Sequence, residues 1–165
     1  MRDLLLLLTL FLASPAMAVN CEVAFTPDKQ AVETHILPII DEAKRHLRMH
    51  AYALTNDQIV ASLIAAKERG VDVQVLVDKF SITVKGTDVD RLLKANITIY
   101  ISGGSRMGHS KYIVADKRVL QTGSFNYSAG AEYNSENLVM CRSTKLSAQY
   151  LEDWESKRAK SRLYE

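Results

Sequence analysis

The chain has 165 residues, of which 47% are hydrophobic and 24% charged, with a formal net charge of +2. This is the profile of one globular domain: too apolar for disorder, too poor in glycine for a fibrous repeat, and, with two cysteines, not a disulfide-dense miniprotein. So mild a positive charge permits a polyanionic substrate without demanding one.

Met1-Arg2-Asp3, an apolar run from Leu4 to Ala13 and the small-x-small ending Ala16-Met17-Ala18 predict a cleaved signal peptide over 1–18 and a mature domain over 19–165. The apolar run falls short of the roughly 20 residues that span a bilayer as a helix. Export to the periplasm or the medium is therefore expected, with an uncleaved anchor as the alternative. In an oxidising space Cys21 and Cys141 have two readings, a single disulfide or two unpaired thiols.

Along the rest of the chain, strand and helix patterns alternate. A short strand over Glu22 to Phe25 is broken by Thr26-Pro27-Asp28, and a helix kinked at Pro38 is predicted from Ala31 to His46. Arg48 to Leu54 reads as a strand. Thr55, with Gln58 three residues on, predicts a capping box for a helix that ends at Gly70. Val71 to Val77 alternates as a strand, a short helix is expected near Asp88 to Ala95, and Ile97 to Ile101 is a further strand. After a glycine-rich loop over Ser102 to Gly108 come strands at His109 to Ala115, Val119 to Thr122 and Asn137 to Cys141, then a terminal helix from Thr144 to Lys160. The order implies an α/β fold: one mixed β-sheet sandwiched between helices.

The chemistry is concentrated in His109-Ser110-Lys111-Tyr112-Ile113-Val114-Ala115-Asp116 and Gly123-Ser124-Phe125-Asn126. Alternation on a strand puts His109 and Lys111 on one face and Tyr112, Val114 and Asp116 on the other. Ser124 and Asn126 repeat the two-residue spacing. If the strands are neighbours, an imidazole, an ammonium, a hydroxyl and a carboxamide converge on one point, a set suited to an anionic tetrahedral centre such as phosphate. His109 can attack phosphorus through one ring nitrogen if the other is held by an acceptor. Parity disfavours Asp116 for that task, and Glu136 is the expected partner. No group of Cys, His or carboxylate residues has metal-ligand spacing, so no metal or cofactor is expected.

His109-x-Lys111-x4-Asp116-x6-Gly123-Ser124-x-Asn126 resembles the HKD signature of the phospholipase D superfamily. The chain around it is similar to that superfamily's small secreted bacterial endonucleases of the Nuc type. The resemblance spans Arg48-Met49-x-Ala51-Tyr52, Ala65-Ala66-Lys67-x-Arg69-Gly70-Val71-Asp72-Val73 and Asn134-Ser135-Glu136-Asn137. It implies an α/β/α fold and a catalytic set of His109, Lys111, Asp116, Ser124, Asn126 and Glu136. It also implies a metal-free, two-step hydrolysis of a phosphodiester through a phosphohistidine.

Such a reaction needs two histidines, and this chain carries one motif. His35, His46 and His50 lack its other elements. The resemblance therefore implies a homodimer with His109 from both subunits in one active site, an arrangement that two-fold symmetry supplies at once. Nucleic acid, DNA or RNA, is the expected substrate, with loop cations Lys79, Lys85, Arg106, Lys117 and Arg118 tracking the backbone and Arg106 binding substrate together with Lys111, Ser124 and Asn126. No base-reading module is visible, so sequence-independent cleavage is expected, with no obligatory membrane partner. Hydrolysis of phospholipid or cardiolipin by the same residues is the alternative.

Overall fold

The computed structural model describes residues 19–84, 86–102 and 107–165. The expected signal peptide, Lys85 and Arg106 lie outside them. Within them the elements run β1 (Asn20–Phe25), a π-helical turn (Val32–Ile36) leading into α1 (Leu37–Asp41), β2 (His46–Ala51), α2 (Asp57–Glu68), β3 (Asp72–Val77), a 3-10 turn (Lys79–Ile82), α3 (Val89–Lys94) and β4 (Thr98–Ile101). There follow β5 (Tyr112–Ala115), β6 (Val119–Gly123), a 3-10 turn (Ala131–Tyr133), β7 (Asn137–Arg142), α4 (Thr144–Arg158) and β8 (Arg162–Leu163).

The strands form one mixed sheet in the order β1-β7-β6-β5-β2-β3-β4-β8. β2, β3 and β4 are parallel, and the direction reverses where β5 pairs with β2. The sheet buries side chains on both faces. Leu47, Met49, Val73, Val75, Val77, Ile99 and Ile113 pack into a core with Ile40 of α1, Ile59 and Leu63 of α2 and Leu92 of α3. Leu76, Tyr112, Val114 and Leu120 pack on the opposite side around Trp154 of α4. The indole of Trp154 donates to the carbonyl of Met49 at 3.0 Å, which pins α4 across the centre of the sheet. The expected sheet between helix layers is thus present, and the alternation of Tyr112, Ile113 and Val114 between the two cores is as the strand pattern requires.

Several boundaries differ from expectation, each for a local reason. The first helix ends at Asp41 rather than reaching His46, and Pro38 sits in the first turn of α1, where its missing N–H costs nothing. Thr55 does not cap α2. Its amide is bonded to the carbonyl of Tyr127, and the cap passes to Asn56, whose side chain accepts from Gln58 and Ile59. β5 begins at Tyr112 rather than His109. Tyr112 pairs with His50 on one side and Thr122 on the other, and both neighbouring strands end one residue beyond those partners, so nothing extends the ladder toward His109. β8, two residues on the edge of β4, carries no sequence pattern and was not expected.

Cys21 and Cys141 face each other across β1 and β7 and form a disulfide, with Cα atoms 4.1 Å apart. The bond ties an edge strand to its neighbour across a sequence separation of 120 residues. Replacing both cysteines by serine is expected to cost about 2–5 kcal/mol of unfolding free energy, read from the urea midpoint, because the unfolded chain regains the freedom of a long loop.

Candidate active site

The C-terminal ends of β2, β3 and β6 and the N-terminal ends of β5 and β7 all lie at one end of the sheet, as the pairing directions require. Reversal of direction at β2 and β5 leaves a crevice there, the usual place for a ligand on an open α/β sheet. His109 and Ser124, both exposed, and Lys111, 5% exposed, occupy this end.

Lys111 Nζ lies 2.9 Å from His109 Nδ1 and donates to the His109 carbonyl at 2.6 Å. Burial lowers the Lys111 pKa from its usual value, opposed by the negative charge of Glu136. The ammonium form only donates, so in that contact Nδ1 is the acceptor. On the neighbouring strands, Ser124 Oγ donates to Glu136 Oε2 at 2.5 Å and accepts from the amide of Asn137 at 3.0 Å. The Thr122 hydroxyl donates to the Lys111 carbonyl at 3.2 Å, and so bridges the His–Lys pair to the Ser–Glu pair.

Gly123 explains why the serine is preceded by glycine. Its φ is +146° and a Cβ there would meet the Asn137 carbonyl oxygen at 2.1 Å, so no larger residue lets β6 approach β7 this closely.

Two expectations are corrected. Glu136 does not hold His109: its carboxylate is taken up by Ser124 and by the Asn134 side chain at 3.3 Å. Asp116 is not at this site. It lies in the turn after β5, at the far end of the strand from Lys111, and accepts from the amides of Lys44, Arg45 and His46 at 2.8 to 3.0 Å. Those three bonds hold its carboxyl below the usual carboxylate range against the opposing effect of burial. Its task is to fix the chain entering β2, which runs straight to the site. Asn126 is carried on the same turn as Ser124, but its Oδ1 is buried with no hydrogen-bond partner among the described residues.

Several residues that build the site went unmarked in the sequence. Thr26 accepts from the Glu136 amide at 2.9 Å and donates to the Asn134 carbonyl at 2.8 Å, so the chain just after β1 positions the segment bearing Glu136. Asp78, buried at the end of β3, accepts from the Gly108 amide at 2.6 Å and the Phe80 amide at 2.8 Å. An acid directly after the apolar run Val71 to Val77 was the available signal. Tyr52 packs against the imidazole of His109 with ring centres 4.5 Å apart.

His50, on the α4 face of β2, is fully buried, and neither ring nitrogen has a hydrogen-bond partner among the described residues. Burial pushes its pKa down to about 4, assisted by Lys157 and Lys111 and opposed by Asp153 and Asp78. The unfolded chain therefore takes up a proton near pH 6.5 that the folded chain refuses until about pH 4. This stabilisation is complete above the unfolded value and is lost as pH falls through the window, to a limit of about 3 kcal/mol. His50→Leu is expected to flatten the fall in urea midpoint between pH 7 and pH 4 by roughly that amount.

A polar hollow of about 390 Å³ adjoins His109, lined by Ser110, Lys111, Thr122, Gln149 and Lys157 among others. A larger one, about 670 Å³, lies at the opposite end of the sheet beside Asp116 and Arg118, away from this chemistry. Among the described residues no group of His, Cys, Asp or Glu could hold a metal ion.

Residues 36–158 match the family described as cardiolipin synthase, PLD-like domain. A phospholipase D of Rickettsia bellii is 35% identical over 138 residues, covering 83% of this chain and 68% of the relative. The mitochondrial cardiolipin hydrolase of Chlamydomonas reinhardtii is 27% identical over 137 residues, covering 82% of this chain and 60% of that protein. Among solved structures, Nuc from Salmonella typhimurium, a phospholipase D family member, matches with a TM-score of 0.82 at 31% identity, over 89% of this chain and 99% of that one. NucT from Helicobacter pylori shares the fold, with a TM-score of 0.80 at 19% identity and coverage of 89% and 100%. The chain therefore belongs to the phospholipase D superfamily, as a PLD-like phosphodiester hydrolase.

Proposed function

We propose that the protein is a metal-independent, sequence-nonspecific endonuclease that hydrolyses DNA or RNA through a phosphohistidine, in an active site shared by two copies of the chain. The carrying observation is the exposed imidazole of His109 beside the buried ammonium of Lys111, which is half of a two-histidine site. Of the chain's four histidines, His46 and His35 lie elsewhere and His50 is buried. The exposed apolar side chains of Phe25, Tyr133 and Met107 near this end of the sheet suit coverage by a second copy.

In the proposed reaction an incoming phosphate draws the Lys111 ammonium from His109 to its non-bridging oxygens, and Ser124 and Asn126 donate to the same oxygens. Lys111 thus both stabilises charge and frees the imidazole. A ring nitrogen of His109 attacks phosphorus and the phosphorus–oxygen bond to the leaving group breaks. That oxygen takes a proton from His109 of the partner subunit. Water then attacks the phosphohistidine, passing a proton to the partner's His109 and breaking the phosphorus–nitrogen bond.

Nucleic acid is favoured because the hollow beside His109 is polar and suits no acyl chain, while the approach is open enough for a polymer backbone. The similarity to relatives named phospholipase D and cardiolipin hydrolase favours a second reading, lipid hydrolysis with the same residues. Parallel assays on single-stranded DNA, duplex DNA and cardiolipin vesicles, each with and without chelator, separate the two. Cleavage of DNA that survives chelation and weakens with salt is expected. Vesicle hydrolysis with no DNA cleavage overturns the nuclease reading, and loss of activity on chelation overturns the metal-free mechanism.

A further inference from the structure

Three rings stand in a row beside the reacting position. The imidazole of His109 packs on Tyr52 at 4.5 Å between ring centres with planes tilted by 53°, and Tyr52 stacks on Phe80 at 5.1 Å with planes only 7° from parallel. The Lys111 ammonium lies 5.1 Å from the centre of the Tyr52 ring. Phe80, at the outer end, is 42% exposed. An isolated exposed phenylalanine needs no explanation, but this one ends a stack that begins at His109.

The stack is held rigidly. Asp78 is 2% exposed and binds the Phe80 amide through Oδ1 and the Gly108 amide through Oδ2, so one buried carboxylate sets both Phe80 and the loop that delivers His109. Ser81, fully buried, donates to the Tyr52 carbonyl at 2.5 Å. A preorganised aromatic face loses little freedom on binding.

We propose that Phe80, backed by Tyr52, is a stacking platform for an unpaired nucleobase flanking the scissile phosphate, and that the preferred substrate is therefore single-stranded nucleic acid. This rests on the nuclease reading above and names its substrate class. A nucleotide presents an anionic phosphate and a flat ring joined by one sugar, and this end of the sheet presents the Lys111 ammonium 5.1 Å from the Tyr52 ring, with Phe80 stacked on that ring. Bases in a duplex are already paired and stacked, so only an unpaired base can lie on Phe80. Stacking of this kind tolerates any base, since each has a π-face, which agrees with sequence-nonspecific cleavage.

The test compares KM for a single-stranded thymidine oligonucleotide with KM for the same strand carrying abasic residues, in wild type, Phe80→Ala, Phe80→Leu and Phe80→Trp, with a DNA duplex and cardiolipin vesicles alongside. Wild type is expected to prefer the base-bearing strand about tenfold, Phe80→Trp to retain that preference, and Phe80→Ala and the size-conserving Phe80→Leu to lose it. Equal KM for both strands in wild type, or an undiminished preference in Phe80→Leu, overturns the platform while leaving the nuclease reading intact. Vesicle hydrolysis that falls in Phe80→Leu, with no cleavage of either oligonucleotide by wild type, overturns both and assigns Phe80 to a lipid surface.

Discussion

Replacing His109 by asparagine is expected to lower phosphodiester hydrolysis by at least about 10⁴-fold, with circular dichroism and sedimentation unchanged. In the proposed shared site, one substitution removes the nucleophile from one side of phosphorus and the proton donor from the other, so a loss beyond that of a single general acid is anticipated. Asparagine is polar and His109 is exposed, so the fold is expected to survive the loss of the imidazole's contacts with Lys111 and Tyr52. A mixing experiment tests the shared site directly. When equal amounts of wild-type and His109→Asn chains exchange freely, only pairs of two wild-type chains stay active, and the rate should fall to about one quarter of that of wild type at the same total chain concentration. A fall to one half would mean that each chain acts alone.

Replacing Lys111 by methionine is expected to reduce kcat by about 10²–10³-fold, the usual effect of removing one group aimed at developing charge. The chain should remain folded, because Lys111 is largely buried and methionine fills similar space without a charge to desolvate. The pH behaviour follows from the direction of the shift. Burial lowers the Lys111 pKa below 10.5, so the ammonium needed for phosphate is lost at a lower pH than for an exposed lysine, and activity should decline correspondingly early on the alkaline side. The sign for stability is opposite. Between the folded value and 10.5 the unfolded chain holds the proton that the folded chain has released, so stability rises with pH there. Lys111→Met should remove that contribution, seen as a urea midpoint that rises less, or falls more, with pH than that of wild type over the same range. Lys111→Arg, whose guanidinium stays protonated, should remove the alkaline decline in whatever activity it retains. An alkaline decline that persists in Lys111→Arg would assign it to another group.

Comparison of particular residues shows what kind of information each level carries. The alternation of Val73, Val75 and Val77, and of Tyr112, Ile113 and Val114, is local, and a strand's period of two carries it directly into the two cores. The His-x-Lys and Gly-Ser-x-Asn spacings are also local, and both lie at the same sheet end. Asp116 belongs to the same motif in the sequence, yet it sits at the opposite end, because the direction of β5 separates its first residues from its last by the whole strand. Glu136 was expected at His109 and is instead bonded to Ser124, a choice made by the pairing of β6 with β7 and by Thr26 just after β1.

By itself, the sequence determined the alternating α/β order and the residue set of the motif, because these depend on residue type and short spacing. Only the tertiary structure decided that Cys21 meets Cys141, that Asp78 braces the loop before His109, and that Phe80 stacks on Tyr52 beside the imidazole. Each of these joins residues that are distant in the chain or carried on different elements. Their meeting is set by strand order and register, which depend on burial of the whole sheet between its helices rather than on any local pattern.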